Sequence, residues 1–243
     1  MKYILIIGAK SDLSKELAKL YSKDRYNLYL AGRNINNLEN FKKELEEKFD
    51  INVNLKELDL NKYETHKIFY ESLEPKPFGI ILVSGYMADQ KDCEMNFEKT
   101  FNTINVNYTG AVSILNIVAN NLEKQKNGFI IAISSVAGDR GRKKNYIYGS
   151  SKAALTTYLS GLRNRLYKSN INVITVKPGF MYSRMTLGLK LPKRLTSFPN
   201  EVAKKIYYGQ LNGKQIIYSK TIWRIIMFVI KIIPERIFKK TNF

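Results

Sequence analysis

The chain has few of the residues that build metal sites and covalent cross-links. Among 243 residues there is one cysteine, Cys93, and one histidine, His66. A lone cysteine excludes an internal disulfide and fits a reducing, cytoplasmic setting. One histidine and one cysteine argue against a zinc site of the usual kind, and no metal is expected. His66 lies in the polar, helix-like stretch "YETHKIF" and is expected on the solvated surface. No apolar run approaches the ~18 residues of a membrane-spanning helix. The N-terminal run "MKYILIIG" leads straight into a glycine turn. It lacks the long apolar core and small-residue cleavage site of a signal peptide, so a buried strand is expected. Acids are scarce: 21 against 40 basic residues, for a formal charge of +19. Such a field attracts nucleic acid, acidic headgroups or a phosphorylated substrate. The lysines are also spread along the whole chain, as in a bias with dispersed charge. A single tryptophan and the absence of a reader motif argue against a nucleic-acid partner.

Hydrophobic residues make up 44 % of the chain, enough for one sizeable core and a single domain over 1–243. Apolar runs occupy 3–8, 26–32, 51–60, 79–85, 128–135 and 171–179, with a short seventh at 215–219. Several are apolar on both alternate positions, as strands buried on both faces must be. Amphipathic segments at 12–23, 36–48, 62–73, about 96–123 and about 146–168 lie between them. This alternation predicts an α/β fold: a doubly wound parallel sheet of about seven strands with helices on both faces. Ligands of such sheets bind beyond the carboxyl ends of the strands.

The turn after the first run, "GAKSDLS", offers Gly8 for a tight bend and Ser11 for a hydroxyl. The first helical amides, at Asp12 and Leu13, face a site suited to a pyrophosphate. Asp12 and Ser14 stand where further glycines of a dinucleotide fingerprint are usual, so a plain capped helix start fits nearly as well. The second run ends in "AGRN". Arg33 there, with no acid, suits the 2′-phosphate of NADP(H) rather than a free ribose hydroxyl.

The stretch "NYIYGSSKAAL" places Tyr148 and Lys152 four residues apart, on one helical face. Tyr146 points roughly 120° away from Lys152, at about 100° per residue. A free tyrosine has a pKa of about 10, and a nearby ammonium favours the phenolate. A Tyr-xxx-Lys pair at a cofactor site can therefore act as acid or base.

With these pieces in order, the whole chain resembles the short-chain dehydrogenase/reductase family, whose fold is a Rossmann-type sheet. The matching stretches are "GAKSDLS", "LDL", "VSG", "NVNYTG", "ISSVAG", "YGSSKAAL" and "VKPGFMYS". The resemblance implies a catalytic set of Asn107, Ser135, Tyr148 and Lys152. Tyr148 would protonate a carbonyl oxygen. Lys152 would lower its pKa and bond the nicotinamide ribose. Ser135 would hold the substrate carbonyl, with Ser134 its strand-end neighbour. Asn107 would bend its helix and hold a relay water. Asp59 and Leu60 would border the adenine, and Gly85 would lie beside the cofactor. Pro178, Gly179 and Ser183 would meet the nicotinamide end. The family also implies a dimer or tetramer. "GAKSD" and "GYMADQ" resemble a subgroup that reduces keto-sugars on polyprenyl phosphate, including decaprenylphosphoryl-2-keto-ribose reductase.

Two loops flank the expected cleft. The loop "DRGRKKN" has four basic residues and one acid, and "RMTLGLKLPKRL", in a substrate loop at about 180–199, has four and none. They suit an anionic substrate with an apolar portion, or simply a solvated basic rim. The apolar, basic C-terminal segment, about 220–243, allows three roles: packing on the sheet or a second copy, lying in a membrane interface at the inner face, or covering a lipidic substrate. The function expected is NADPH-dependent reduction of a ketone on a sugar or polyprenyl-linked sugar. A non-catalytic NADP sensor or scaffold is the alternative.

Overall fold

The computed structural model describes residues 1–183, 186–188 and 190–241. Seven strands alternate with helices: β1 Tyr3–Ile7, α1 Asp12–Lys23, β2 Asn27–Gly32, α2 Glu39–Phe49, β3 Val53–Glu57, α3 Tyr63–Glu71 and β4 Gly79–Leu82. Then come α4 Gln90–Met95, α5 Phe97–Ile104, α6 Gly110–Gln125, β5 Gly128–Ile133, α7 Tyr146–Leu166 and β6 Ile171–Lys177. The chain finishes with α8 Pro199–Leu211, β7 Ile216–Tyr218, α9 Thr221–Ile232 and α10 Glu235–Phe238.

All strands pair in parallel, in the order β3-β2-β1-β4-β5-β6-β7. The order reverses between β1 and β4, the position where such sheets open a crevice. Strand alternation splits the core in two. Ile4 and Ile6 face a layer of α1, α2 and α8, which contributes Leu17, Leu45 and Ile206. Leu5 and Ile7 face α3, α6 and α7, which contribute Phe69, Leu115 and Leu159. Full burial of each such side chain contributes about 1.5–3 kcal/mol.

The long helix expected at about 96–123 is present, running without a break from Phe97 to Gln125 as α5 and α6. Asn96, extended at φ −133°, separates α4 from α5 and caps α5 by accepting from the Glu98 amide. A π-turn at Asn105–Thr109 then joins α5 to α6, a bulge often placed at functional sites. Two elements differ from expectation. Helix α8 had not been anticipated; it starts with Pro199, and the Glu201 carboxylate accepts from the Phe198 amide at 3.0 Å. His66 is buried rather than solvated. Its Nε2 lies 3.2 Å from the Asp59 carbonyl and its Nδ1 2.9 Å from Ser113 Oγ on α6. A carbonyl only accepts, so Nε2 carries the proton and Nδ1 accepts from the serine. Burial lowers the His66 pKa and favours this neutral form.

Candidate active site

Ser135 follows β5 in extended backbone, and its Oγ accepts from the Ala137 amide at 3.1 Å. The strand ends around it are pinned: the Ser134 amide donates to Val176 O at 2.8 Å and the Val136 amide to Pro178 O at 3.0 Å. Ser134 has a structural task. Its Oγ donates to Lys152 O at 2.9 Å and lies 2.7 Å from Thr156 Oγ1, which holds α7 against β5. Gly138 lets the two approach: a Cβ there would sit 2.7 Å from the Lys152 and Ala153 backbone.

Helix α7 therefore brings Tyr148 and Lys152 to the Ser135 turn. The Lys152 Nζ lies 5.8 Å from the Tyr148 ring centre and donates to Ile133 O at 3.0 Å. Burial pushes the lysine down to about 8. Burial likewise pushes Tyr148 up to about 12, against an opposing hydrogen bond from Ser135. The expected lowering of Tyr148 by Lys152 is thus not what this arrangement gives. The ammonium is turned to a backbone carbonyl, and desolvation dominates both groups.

Asn107, buried in the π-turn, accepts from the Tyr86 amide at 2.9 Å and donates to Tyr86 O at 2.7 Å. Its second N–H goes to Ser151 Oγ at 3.1 Å, and that hydroxyl donates to Tyr148 O at 2.7 Å. Both Asn107 donors are in use, so its side chain braces the loop after β4 against α7. Tyr146 is a brace too: its hydroxyl donates to Glu94 at 3.0 Å, and Gln90 accepts from the Ile147 amide at 3.2 Å. Gln90 and Glu94 on α4 thus secure a helix start that has no side-chain cap of its own.

The expected cofactor residues all follow carboxyl ends of strands. Gly8 sits at φ +83°, and a Cβ there would lie 2.7 Å from the Ser84 amide nitrogen. The serines replace glycines by closing the turn with hydrogen bonds. Ser14 Oγ donates to Gly8 O, and Ser11 Oγ to Ser14 Oγ, both at 2.8 Å. Ser11 also caps α1, accepting from the Ser14 amide at 3.1 Å. The Asp12 and Leu13 amides are first-turn donors without intrahelical acceptors. The turn is tied to β2 through Gly8 and Ala9 amides on Ala31 O, at 2.9 and 3.1 Å. Arg33 is exposed beside it. Glu57, unremarked in the sequence, accepts from the Asn34 and Ile35 amides at 2.8 and 3.1 Å and shapes the loop presenting Arg33. Asp59 Oδ1 turns back onto the Asn61 amide at 3.0 Å, Leu60 is buried, and Gly85 is exposed. Gly179 donates to Ser219 Oγ at 3.1 Å, whereas Ser183 closes a local turn with Thr186, its amide donating at 3.1 Å. Arg184, Met185 and Leu189 of the expected substrate loop lie outside the described residues.

The loop 139–145 divides its charges. Asp139 and Lys177 form a buried ion pair, and Tyr218 donates to the other Asp139 oxygen at 3.1 Å. Arg140 donates to the carbonyls of Ile230 and Ile233 at the end of α9, each at 2.6 Å. Arg142 is half-buried, and its Nε has no hydrogen-bond partner among the described residues.

A short-chain dehydrogenase family model matches residues 2–192. The chain belongs to the short-chain dehydrogenase family, a family of oxidoreductases. Over 240 residues it is 29 % identical to an uncharacterised oxidoreductase of Mycobacterium tuberculosis, covering 98 % of this chain and 96 % of that one. A Streptomyces coelicolor oxidoreductase, also uncharacterised, is 31 % identical over 161 residues, 66 % of this chain and 63 % of that one. In fold, the chain is similar to a Sphingobium yanoikuyae short-chain dehydrogenase in complex with NADPH. The TM-score is 0.84 at 20 % identity, covering 97 % of each chain. A Comamonas testosteroni alcohol dehydrogenase specific for bulky-bulky ketones gives a TM-score of 0.81 at 18 % identity, covering 97 % and 96 %.

Proposed function

We propose that the protein is an NADPH-dependent reductase of a ketone carried on a sugar or polyprenyl-phosphate-linked sugar. The observation that carries this reading is the meeting of Ser135, Tyr148 and Lys152 around one strand end, braced by Asn107. NADP(H) fits the residues present: the left-handed Gly8 lets the turn after β1 bend tightly against Ser84, the first turn of α1 supplies amides, and Arg33 supplies a cation. That cofactor supplies the hydride.

The residues of the chain supply orientation and the proton. Ser135 holds the carbonyl oxygen by a hydrogen bond. Tyr148, kept protonated by burial, donates its phenolic proton to that oxygen. Lys152, at about 8, is close enough to neutral pH to change its protonation with the state of the site. Asn107 keeps α7 and the loop after β4 in register, so a relay water would bind a group other than its side-chain amide. Arg142 favours an anionic substrate: among the described residues the acid that acts on it is Asp139, whose two oxygens are already used by Lys177 and Tyr218. A desolvated guanidinium in that state suits a phosphate or carboxylate. Arg140, committed to α9, is not available for that task.

The reading also takes the protein as one NADP-binding unit that assembles as a dimer or tetramer. The test is NADPH oxidation against keto-sugars, with and without phosphate and lipid carriers, alongside NADH. Turnover with at least one keto-sugar, faster with NADPH, is expected. Tight NADPH binding without turnover of any carbonyl in a broad panel would refute the enzymatic reading.

A further inference from the structure

Helix α9 is apolar on both of its sides. Trp223, Met227 and Ile230 are buried, packed with Val136. At about 100° per residue, Ile222, Ile225, Phe228, Val229 and Ile232 occupy the opposite side. They are exposed, Ile225 at 59 %, Phe228 at 65 % and Ile232 at 63 %. An exposed apolar face of this size normally has a partner, and among the described residues nothing covers this outer face. Beside it on α10, Ile237 is 59 % exposed.

Charge says what covers it. Residues 220–241 carry six cations, Lys220, Arg224, Lys231, Arg236, Lys239 and Lys240, and a single acid, Glu235. That acid is already paired with Arg140 at 2.8 Å. Self-pairing of this face would set cations against the same cations of a second copy, with no free acid to offset them. An anionic bilayer offers apolar depth and opposite charge together. At 12 residues, α9 is ~18 Å long, too short for a ~30 Å hydrocarbon core. Among the described residues no helix is long and apolar enough to cross a membrane.

We infer that α9, with α10, seats the protein on an anionic lipid surface, lying in its plane with Ile225, Phe228 and Ile232 immersed and the basic residues at headgroup level. The inner face of the same helix is built on the candidate site. Trp223 lies over Gly179, with Nε1 1.9 Å from where a Cβ would be, and bonds Leu195 O at 3.0 Å. Arg140, five residues beyond Ser135, clasps the end of α9 and stacks on Phe238 at 3.7 Å. A seated molecule therefore holds the loops after β5 and β6 about one helix diameter, ~10 Å, from the lipid. A substrate anchored in the bilayer would reach them without leaving it.

The test is flotation of the full chain with vesicles of neutral phosphatidylcholine, or with about 30 % phosphatidylglycerol. Wild type is expected to float with the anionic vesicles and not the neutral ones, and to be released by high salt. The variant Ile225→Gln/Phe228→Gln/Ile232→Gln should lose at least tenfold in partitioning, with unchanged melting temperature and NADPH affinity. Failure of wild type to float, or equal flotation of the variant, overturns the inference. So does a shift of the variant to a smaller assembly in gel filtration, which would assign the face to a second copy. None of these outcomes depends on finding the ketone substrate.

Discussion

Replacing Asp139 with asparagine keeps the shape of the side chain and an acceptor for Tyr218, but removes the charge that faces Lys177. The side chains of Lys177 and Asp139 are only 8 % and 3 % exposed, so water cannot take over the lost role. Leaving one member of a buried pair uncompensated costs about 3–5 kcal/mol. For a chain of this length, about 2–4 °C in melting temperature accompanies each kcal/mol, so Asp139→Asn should melt roughly 6–20 °C below wild type. Lys177→Met alone should cost a similar amount, whereas Asp139→Leu/Lys177→Met should return to within about 2 kcal/mol of wild type, since a pair exchanged for apolar groups is often neutral. Urea unfolding of wild type, Asp139→Leu, Lys177→Met and the double variant, treated as a cycle, measures the coupling. A loss below about 1 kcal/mol for Asp139→Asn, or additive losses in the double variant, would refute the claim that this pair locks the loop after β5 to the end of β6.

Three further outcomes are expected. Lys152→Met should be inactive yet more stable than wild type at pH 7, by about 3 kcal/mol. A lysine held at about 8 makes wild type gain stability as pH rises from about 8 toward its unfolded value. The advantage should therefore vanish near pH 10.5, and a constant difference across that range in urea unfolding contradicts it. Gly138→Ala should push α7 off the Ser135 turn, costing about 1–3 kcal/mol of stability and lowering kcat more than it raises the KM for NADPH; wild-type kcat would contradict this. Arg33→Gln should weaken NADPH binding by about 10- to 100-fold, the worth of a charged hydrogen bond, while leaving NADH unchanged in titration; equal NADPH affinity would remove the role given to Arg33.

The strands and the order of the site motifs were legible because their signals are local. Buried parallel strands must be apolar on both faces, and helix α1 runs from Asp12 to Lys23, the span its periodicity marks. Helix α8 also carries a local signal: Pro199 at its start, Glu201 two residues later, and apolar residues at 202, 203, 206 and 207. His66 was not legible, because its burial depends on Ser113, 47 residues away on another helix. The basic loop 139–145 was only half legible. Its charge is visible, but that Arg140 would cap α9 and Asp139 would pair with Lys177 depends on contacts 38 to 93 residues distant. The direction of the Tyr148 shift differs for a related reason: spacing puts a lysine on the same face, but its ammonium donates to Ile133 O and burial dominates the pKa of both groups.

The central claim is that Tyr148 is the proton donor of a ketone reductase. Tyr148→Phe should reduce turnover of a confirmed ketone substrate by about 10²- to 10⁴-fold, the range of a positioned general acid. NADPH affinity should stay within about threefold of wild type, and Tyr146→Phe should remain active. Turnover by Tyr148→Phe within tenfold of wild type would contradict the account.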